Sequence, residues 1–217
     1  LLLLLLLLLL LSWYCCYFYC FVVVDVQVLD MHVLLQNTIV TACLQPKFWP
    51  IFQKSSEYND GEPYPLDHWC VRVLESLAGQ LHAIALLSFG GPPFLPFYSW
   101  ALRIGRTHVS PIKFLLQDQS GLFLSFRGAL AFKEHISLPA HPEQSPCVGC
   151  LETYMVAFPV NALEGESYDV TACKSLVMSI DNKHCSTQGC ATQRACPISQ
   201  RFSRLPAQSE FHIKAFF

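Results

Sequence analysis

Apolar and polar positions divide the chain into zones with different periods. Residues 1–24 carry no charge, and residues 1–11 are leucine throughout. That run is long enough to cross a bilayer as a helix, and it lacks the basic start of a secretory signal. A leucine homopolymer is also how residues of unassigned identity are written, so the tract stands apart from the rest. Val24, Val26 and Val28 then alternate with Asp25 and Gln27, the period of a half-buried strand. Leu66, Trp69, Cys70, Val73, Leu74, Leu77 and Leu81 recur at three and four, which predicts an amphipathic helix from Pro65 with Asp67 in its first turn.

Residues 83–89 read as a buried strand halted by Gly90-Gly91-Pro92-Pro93, and a short helix is expected through Tyr98 and Trp100. Residues 112–116 and 122–132 read as two strands joined by the turn Asp118-Gln119-Ser120-Gly121, a hairpin. Phe123, Phe126 and Phe132 are expected in the core. Phe94, Phe97, Tyr98 and Trp100 read as core packing, with a partner surface as the alternative. Residues 138–146 hold three prolines among polar residues and read as a linker. Beyond it the periods fade. A helix is predicted where Tyr168-Asp169 precedes Val170, Cys173, Leu176 and Val177, which turns Cys173 inward, and another follows Pro206.

The expected class is therefore α+β. An α/β-type N-terminal domain with a mixed sheet and helices, residues 25–138, is followed by a linker, 139–146, and a small cysteine-rich domain, 147–217. Residues 1–24 are set aside as the apolar tract. A net charge of −2 with no basic run argues against nucleic-acid binding. No glycine-rich phosphate loop and no nearby acid–base pair supports turnover, so an electron carrier or accessory subunit is expected rather than an enzyme. His82, His108, His135 and His141 have no ligand-spaced partner. His184 stands beside Cys185, where a hydrogen bond could tune a metal site.

The chemistry-bearing signal is the cysteines. Of eleven in the chain, six lie between Cys147 and Cys196. Such crowding means a disulfide framework or a metal site, and the short C-x2-C and the Cys-Pro ending favour metal and a reducing or organellar interior. Soft thiolates suit iron–sulfur clusters. A zinc site drawn from four of the six is a weaker alternative, because the second pair is unevenly spaced. The first run is Cys147-Val148-Gly149-Cys150, then Tyr154, Phe158 and Pro159; the second is Cys173, Cys185, Gly189-Cys190 and Arg194-Ala195-Cys196-Pro197.

With Tyr168-Asp169-Val170, Pro206-Ala207-Gln208 and Phe211-His212, these runs resemble a bacterial family of ferredoxin-like proteins with two 4Fe–4S clusters, from about Phe48 to the C-terminus. The resemblance implies that one cluster takes Cys147, Cys150, position 154 and Cys196, and the other takes Cys173, Cys185, Cys190 and position 158. Tyr154 and Phe158 stand where that family has cysteine. Phenylalanine cannot ligate iron and tyrosine can do so only, and uncommonly, through a phenolate oxygen, so each site is left with three thiolates, enough for a three-iron cluster or a four-iron cluster with an outside ligand. The bland reading is a ferredoxin fold without metal that survives as a docking module.

Residues 116–129 resemble a strand pair of corrinoid-handling proteins and epoxyqueuosine reductases, with Gln117-Asp118 in place of a His-Pro pair. That resemblance gives a third reading, a relative of such reductases. The partners expected are other protein subunits of a redox complex, with a membrane reached through residues 1–24. The compartment expected is an organellar or bacterial membrane, with the mitochondrial inner membrane ranked first.

Overall fold

The computed structural model describes residues 19–27, 36–44, 46–103, 105–133, 144–150, 157, 158, 160, 162, 168–179, 183–202 and 204–216. Its class is α+β. Contacts divide the chain into two compact units, Leu1–Arg106 with Ser125–Pro142, and Thr107–Leu124 with Glu143–Phe217. The cysteine-rich segment thus gains residues 107–124, which the sequence reading assigned to the upstream domain.

The first unit is built on an antiparallel sheet. Strands β1 (Tyr19–Gln27), β2 (Gln36–Leu44), β6 (Phe126–Ala131) and β3 (Ile84–Leu87) lie in the order β1-β2-β6-β3. The valine alternation at 24 and 26 falls within β1, which pairs from Tyr19↔Leu44 to Gln27↔Gln36. Residues 19–24, the end of the apolar tract, are therefore strand and not helix. Residues 1–18 and Val28 lie outside the described residues. No helix among the described residues is long and apolar enough to cross a membrane.

Helix α3 (Pro65–Leu81) carries the core against this sheet, following α1 (Trp49–Phe52) and α2 (Ser56–Asn59). Leu66, Trp69, Cys70, Leu74, Leu77 and Ala78 form its buried face, at the spacing a 3.6-residue period dictates. Pro65 takes the first helical position, where its missing N–H costs nothing. Asp67 in the first turn pairs with Arg127 of β6, whose guanidinium also lies 5.0 Å from the centre of the Phe89 ring. Gly128 of β6 lets α3 approach, because a Cβ there would run into Leu74 and the Leu86 carbonyl. An aromatic cluster of Phe48, Trp49, Phe52 and Trp69 fills one end, with Phe48 and Trp69 centroids 5.7 Å apart. No period marked it, since α1 has four residues.

Two sequence expectations are corrected here. The buried strand over 83–89 is the edge strand β3, with Ile84 45% exposed, because β6 pairs it on one side of the sheet order. The hairpin joining residues 112–116 to 122–132 does not form. Instead β5 (Leu115–Gln117) pairs with β4 (Thr107–Val109), while β6 belongs to the other unit's sheet. The turn after β5 closes at once: Gly121 N–H donates to the Gln117 carbonyl at 2.8 Å, and the Gln117 side-chain oxygen accepts from Ser120 N–H at 2.7 Å. Leu122 then gives its amide to Ser199 Oγ (2.8 Å) and its carbonyl to Gln193 Nε2 (2.9 Å), so side chains take the groups a strand partner would need.

The aromatic stretch before β4 splits. Phe97 and Trp100 of α4 (Phe97–Arg103) are buried with centroids 4.9 Å apart, whereas Phe94 and Tyr98 are exposed. Phe123 and Phe132 are core as expected, and Phe126 is half-buried. In the second unit, α5 (Val170–Met178), α6 (Lys183–Gln188), α7 (Ala191–Ala195), α8 (Pro197–Arg201) and α9 (Pro206–Lys214) follow one another with short connections.

Candidate functional site

Cys147 and Cys150 flank a surface turn. Cys150 N–H donates to the Cys147 carbonyl and Val148 N–H to the Ser145 carbonyl, both at 3.1 Å. Gly149 holds φ +74°, with open space where a Cβ would stand, so backbone conformation rather than room requires glycine. Val148 at the tip is 66% exposed, while both cysteines turn toward a buried group of Ile112, Leu116, Leu122 and Cys196. Cys196 reaches that group from the break between α7 and α8. It is extended (φ −65°, ψ 124°), as a residue before proline prefers, and Pro197 restarts the helix. Cys147, Cys150 and Cys196 therefore share one apolar cluster, completed by Phe114, Ala195 and Ile198.

The other three cysteines meet elsewhere in the same unit. Asp169 caps α5, its carboxylate accepting from Ala172 N–H at 2.9 Å, and this starts the helix in the phase that buries Cys173 and Val177. Cys185 of α6 is buried with them and with Ala162; Phe158, Val160, Tyr168, Ala172, Ala191, Ile213 and Phe216 close around the group. Gly189 follows α6 at φ +83°, where a Cβ would stand 3.0 Å from that of Ser209 in α9. This close seating of α9 sets the course of the chain into Cys190. Burial raises the pKa of the Cys190 thiol, the Gln193 and Thr192 amides oppose the rise, and Cys185 and Cys173 are near enough to add to it. Cys173 and Cys185 thus share one apolar group, and Cys190 stands at the start of α7.

None of these six cysteines is in a disulfide. Phe158, at the fourth position of the second group, packs half-buried against Cys173 and Cys185. Tyr154, at the corresponding position of the first, lies outside the described residues. Among the described residues no group of three or more His, Cys, Asp or Glu side chains could hold a metal ion, so neither the zinc nor the iron–sulfur reading gains support from the positions of the side chains. His184 is exposed on α6 while Cys185 beside it turns inward. His82 is exposed at the end of α3, His108 is half-buried on β4, and His135 and His141 lie outside the described residues. Gln117, where the corrinoid-handling pattern has histidine, is buried and spends its side-chain oxygen on the turn.

Sequence reasoning did not find Ser199 and Gln193, whose hydrogen bonds anchor residue 122 beside the first group, and no local signal marked them. Compared with known proteins, the chain matches no family model, no curated protein and no solved structure.

Proposed function

We propose that the second unit is a ferredoxin-like electron-transfer module with two three-cysteine iron–sulfur sites, acting as a subunit of a larger membrane-associated redox complex. One observation carries the reading. Of six cysteines spread from 147 to 196, five fall into two separate groups, and Cys196 joins Cys147 and Cys150 across the intervening Cys173, Cys185 and Cys190. Crossing over of this kind belongs to two-cluster ferredoxins, in which the last cysteine of one run serves the other cluster.

By number alone, three thiolates to a site would match a cluster bound through three irons, each taking its own thiolate. They do not suit a fully cysteine-ligated four-iron cluster, because Phe158 has no donor atom. A bound cluster supplies one-electron storage without making a bond to substrate. The chain's own part is to present the thiolates from one turn and several short helices and to surround them with apolar side chains. An electron carrier needs protein partners at both ends, and the exposed turn at Val148 brings the first group near the surface. The uncharged residues 1–18 favour membrane association. Recovery of the chain in the soluble fraction after alkaline carbonate extraction would count against that part.

Anaerobic reconstitution with iron and sulfide tests the core of the reading. Bound iron and sulfide with a low-temperature EPR signal that responds to one-electron reduction is expected. A protein that emerges iron-free, with six titratable thiols in this segment, overturns it. Phe158 favours a second reading, a metal-free docking module, and the same iron-free outcome supports that one. The reductase resemblance is not carried forward, since the strand pair it rests on does not form.

A further inference from the structure

We propose that one water molecule is bound inside the second unit, bridging the Thr107 hydroxyl of β4 and the Gln117 carboxamide of β5. The inference does not depend on the electron-transfer reading. Both residues are 2% exposed, and Thr107 Oγ1 and Gln117 Nε2 are buried with no hydrogen-bond partner among the described residues. Leaving a buried polar atom unpaired costs free energy, which is why such atoms are found bonded to protein or to water.

The strand register brings the two side chains together. Thr107 pairs with Gln117, so the pleat sends both to the same face of the ribbon. Gln117 N–H donates to the Gly121 carbonyl at 3.1 Å, and the Gln117 carbonyl accepts from Gly121 N–H at 2.8 Å. Both backbone groups of Gln117 therefore point away from β4. Its pairing with Thr107 is then the kind without ladder bonds, in which Cα atoms approach to about 4.5 Å and side chains lie closest. The carboxamide cannot turn over to reach another partner. Its oxygen accepts from Gln119 N–H at 3.1 Å, Ser120 N–H at 2.7 Å and Ser120 Oγ at 2.8 Å. Two backbone amides demand an oxygen at that place, so the NH2 group faces the other way. What remains is a donor on Gln117 and a hydroxyl on Thr107 that can give or take. Water meets both, with two of the roughly two to four bonds that hold an internal water. The enclosure of both atoms excludes a larger solute. So placed, the water ties β4 to the turn that leads into Leu122 and the first cysteine group.

Thr107→Val exchanges the hydroxyl for a methyl of the same shape. With the bridge present, the variant leaves the water and the Gln117 amide short of a partner and should unfold at a lower urea midpoint than wild type. An equal or higher midpoint means that the hydroxyl had no partner to lose, and overturns the proposal. A direct Thr107–Gln117 bond would also lower the midpoint, so the water is read by itself. In the full-length ¹⁵N-labelled protein, water should give cross-peaks to the Gln117 Nε2 hydrogens that invert in sign between NOE and ROE spectra, and Thr107→Val should lose them. Wild-type protein without those cross-peaks overturns the proposal, and that spectrum decides alone if the variant does not fold.

Discussion

At the residue scale, one side chain bears on the proposed chemistry and another on stability. Phe158 packs against the group of Cys173 and Cys185, and on the electron-transfer reading proposed above it stands where a thiolate would complete a four-iron site. Phe158→Cys is therefore expected to raise bound iron and to change the EPR signature from a three-iron to a four-iron species. Phe158→Ala, which opens the same space without a donor, should leave iron content at the wild-type level. Equal iron in the Cys variant and the wild type would show that this position does not face a cluster. Glu57 carries the clearest pH dependence in the first unit. The Arg72 guanidinium, hydrogen-bonded to it, holds its carboxyl at about 2 against an ordinary 4.5, with burial opposing. A depressed folded pKa means stability that is fully present above the unfolded value and is lost as pH falls through the folded one. The loss thus falls between about 4.5 and about 2, and solvent around the largely exposed Arg72 keeps it modest. Urea unfolding at stepped pH should give Glu57→Gln a flatter stability profile than wild type over that window. Parallel profiles would dismiss the pair as a contributor.

At the element scale, legibility follows from how much of an element's shape is local. Helix α3 was readable because its buried face repeats from Leu66 to Ala78 within a helix of 17 residues. Helix α5 was readable from fewer, because Asp169 both caps it and fixes its phase. Loss of that cap is expected to cost about 1 kcal/mol. Asp169→Ala should lower the unfolding midpoint and speed amide exchange at Ala172, while Asp169→Asn, which keeps an acceptor, should recover most of the loss. An alanine variant as stable as wild type would mean the cap is idle. The strand pairing was not readable from residues 112–132. Their alternation fits any neighbouring strand, and the choice was made by Ser199 and Gln193, distant in sequence, which occupy the backbone of Leu122. Helices α6, α7 and α8 were missed for another reason. With five or six residues each they are too short to show a period, and glycine at 189 and Cys-Pro at 196–197 shape them. The family resemblance set Cys196 with Cys147 and Cys150, which do share one apolar cluster, whereas the contact of Tyr168 with Phe114 has no mark in the sequence.

At the scale of the whole molecule, the two units have separate reasons to be folded. The first has a conventional core of Phe48, Phe52, Trp69, Leu74 and Leu130, all buried, against a four-stranded sheet. The second has two small apolar groups whose members include cysteines, held by short helices and one two-stranded ribbon. Groups of that size leave little margin, and anything that binds the folded form alone adds its binding free energy to that unit's stability. Iron loading should therefore raise amide-exchange protection in α5 through α9 and in β4 and β5, the ribbon that belongs to the same unit. Protection in α3 and β6 should stay where it was, since no cysteine of either group lies in the first unit. Removing the iron with chelator and reductant should return the second unit to its starting exchange rates. If α3 and β6 gain as much as α5, the two units unfold as one and the division drawn from contacts has no energetic meaning. If β4 and β5 fail to gain, the ribbon is not part of the cysteine-bearing unit, and the expected boundary near residue 138 was the better one.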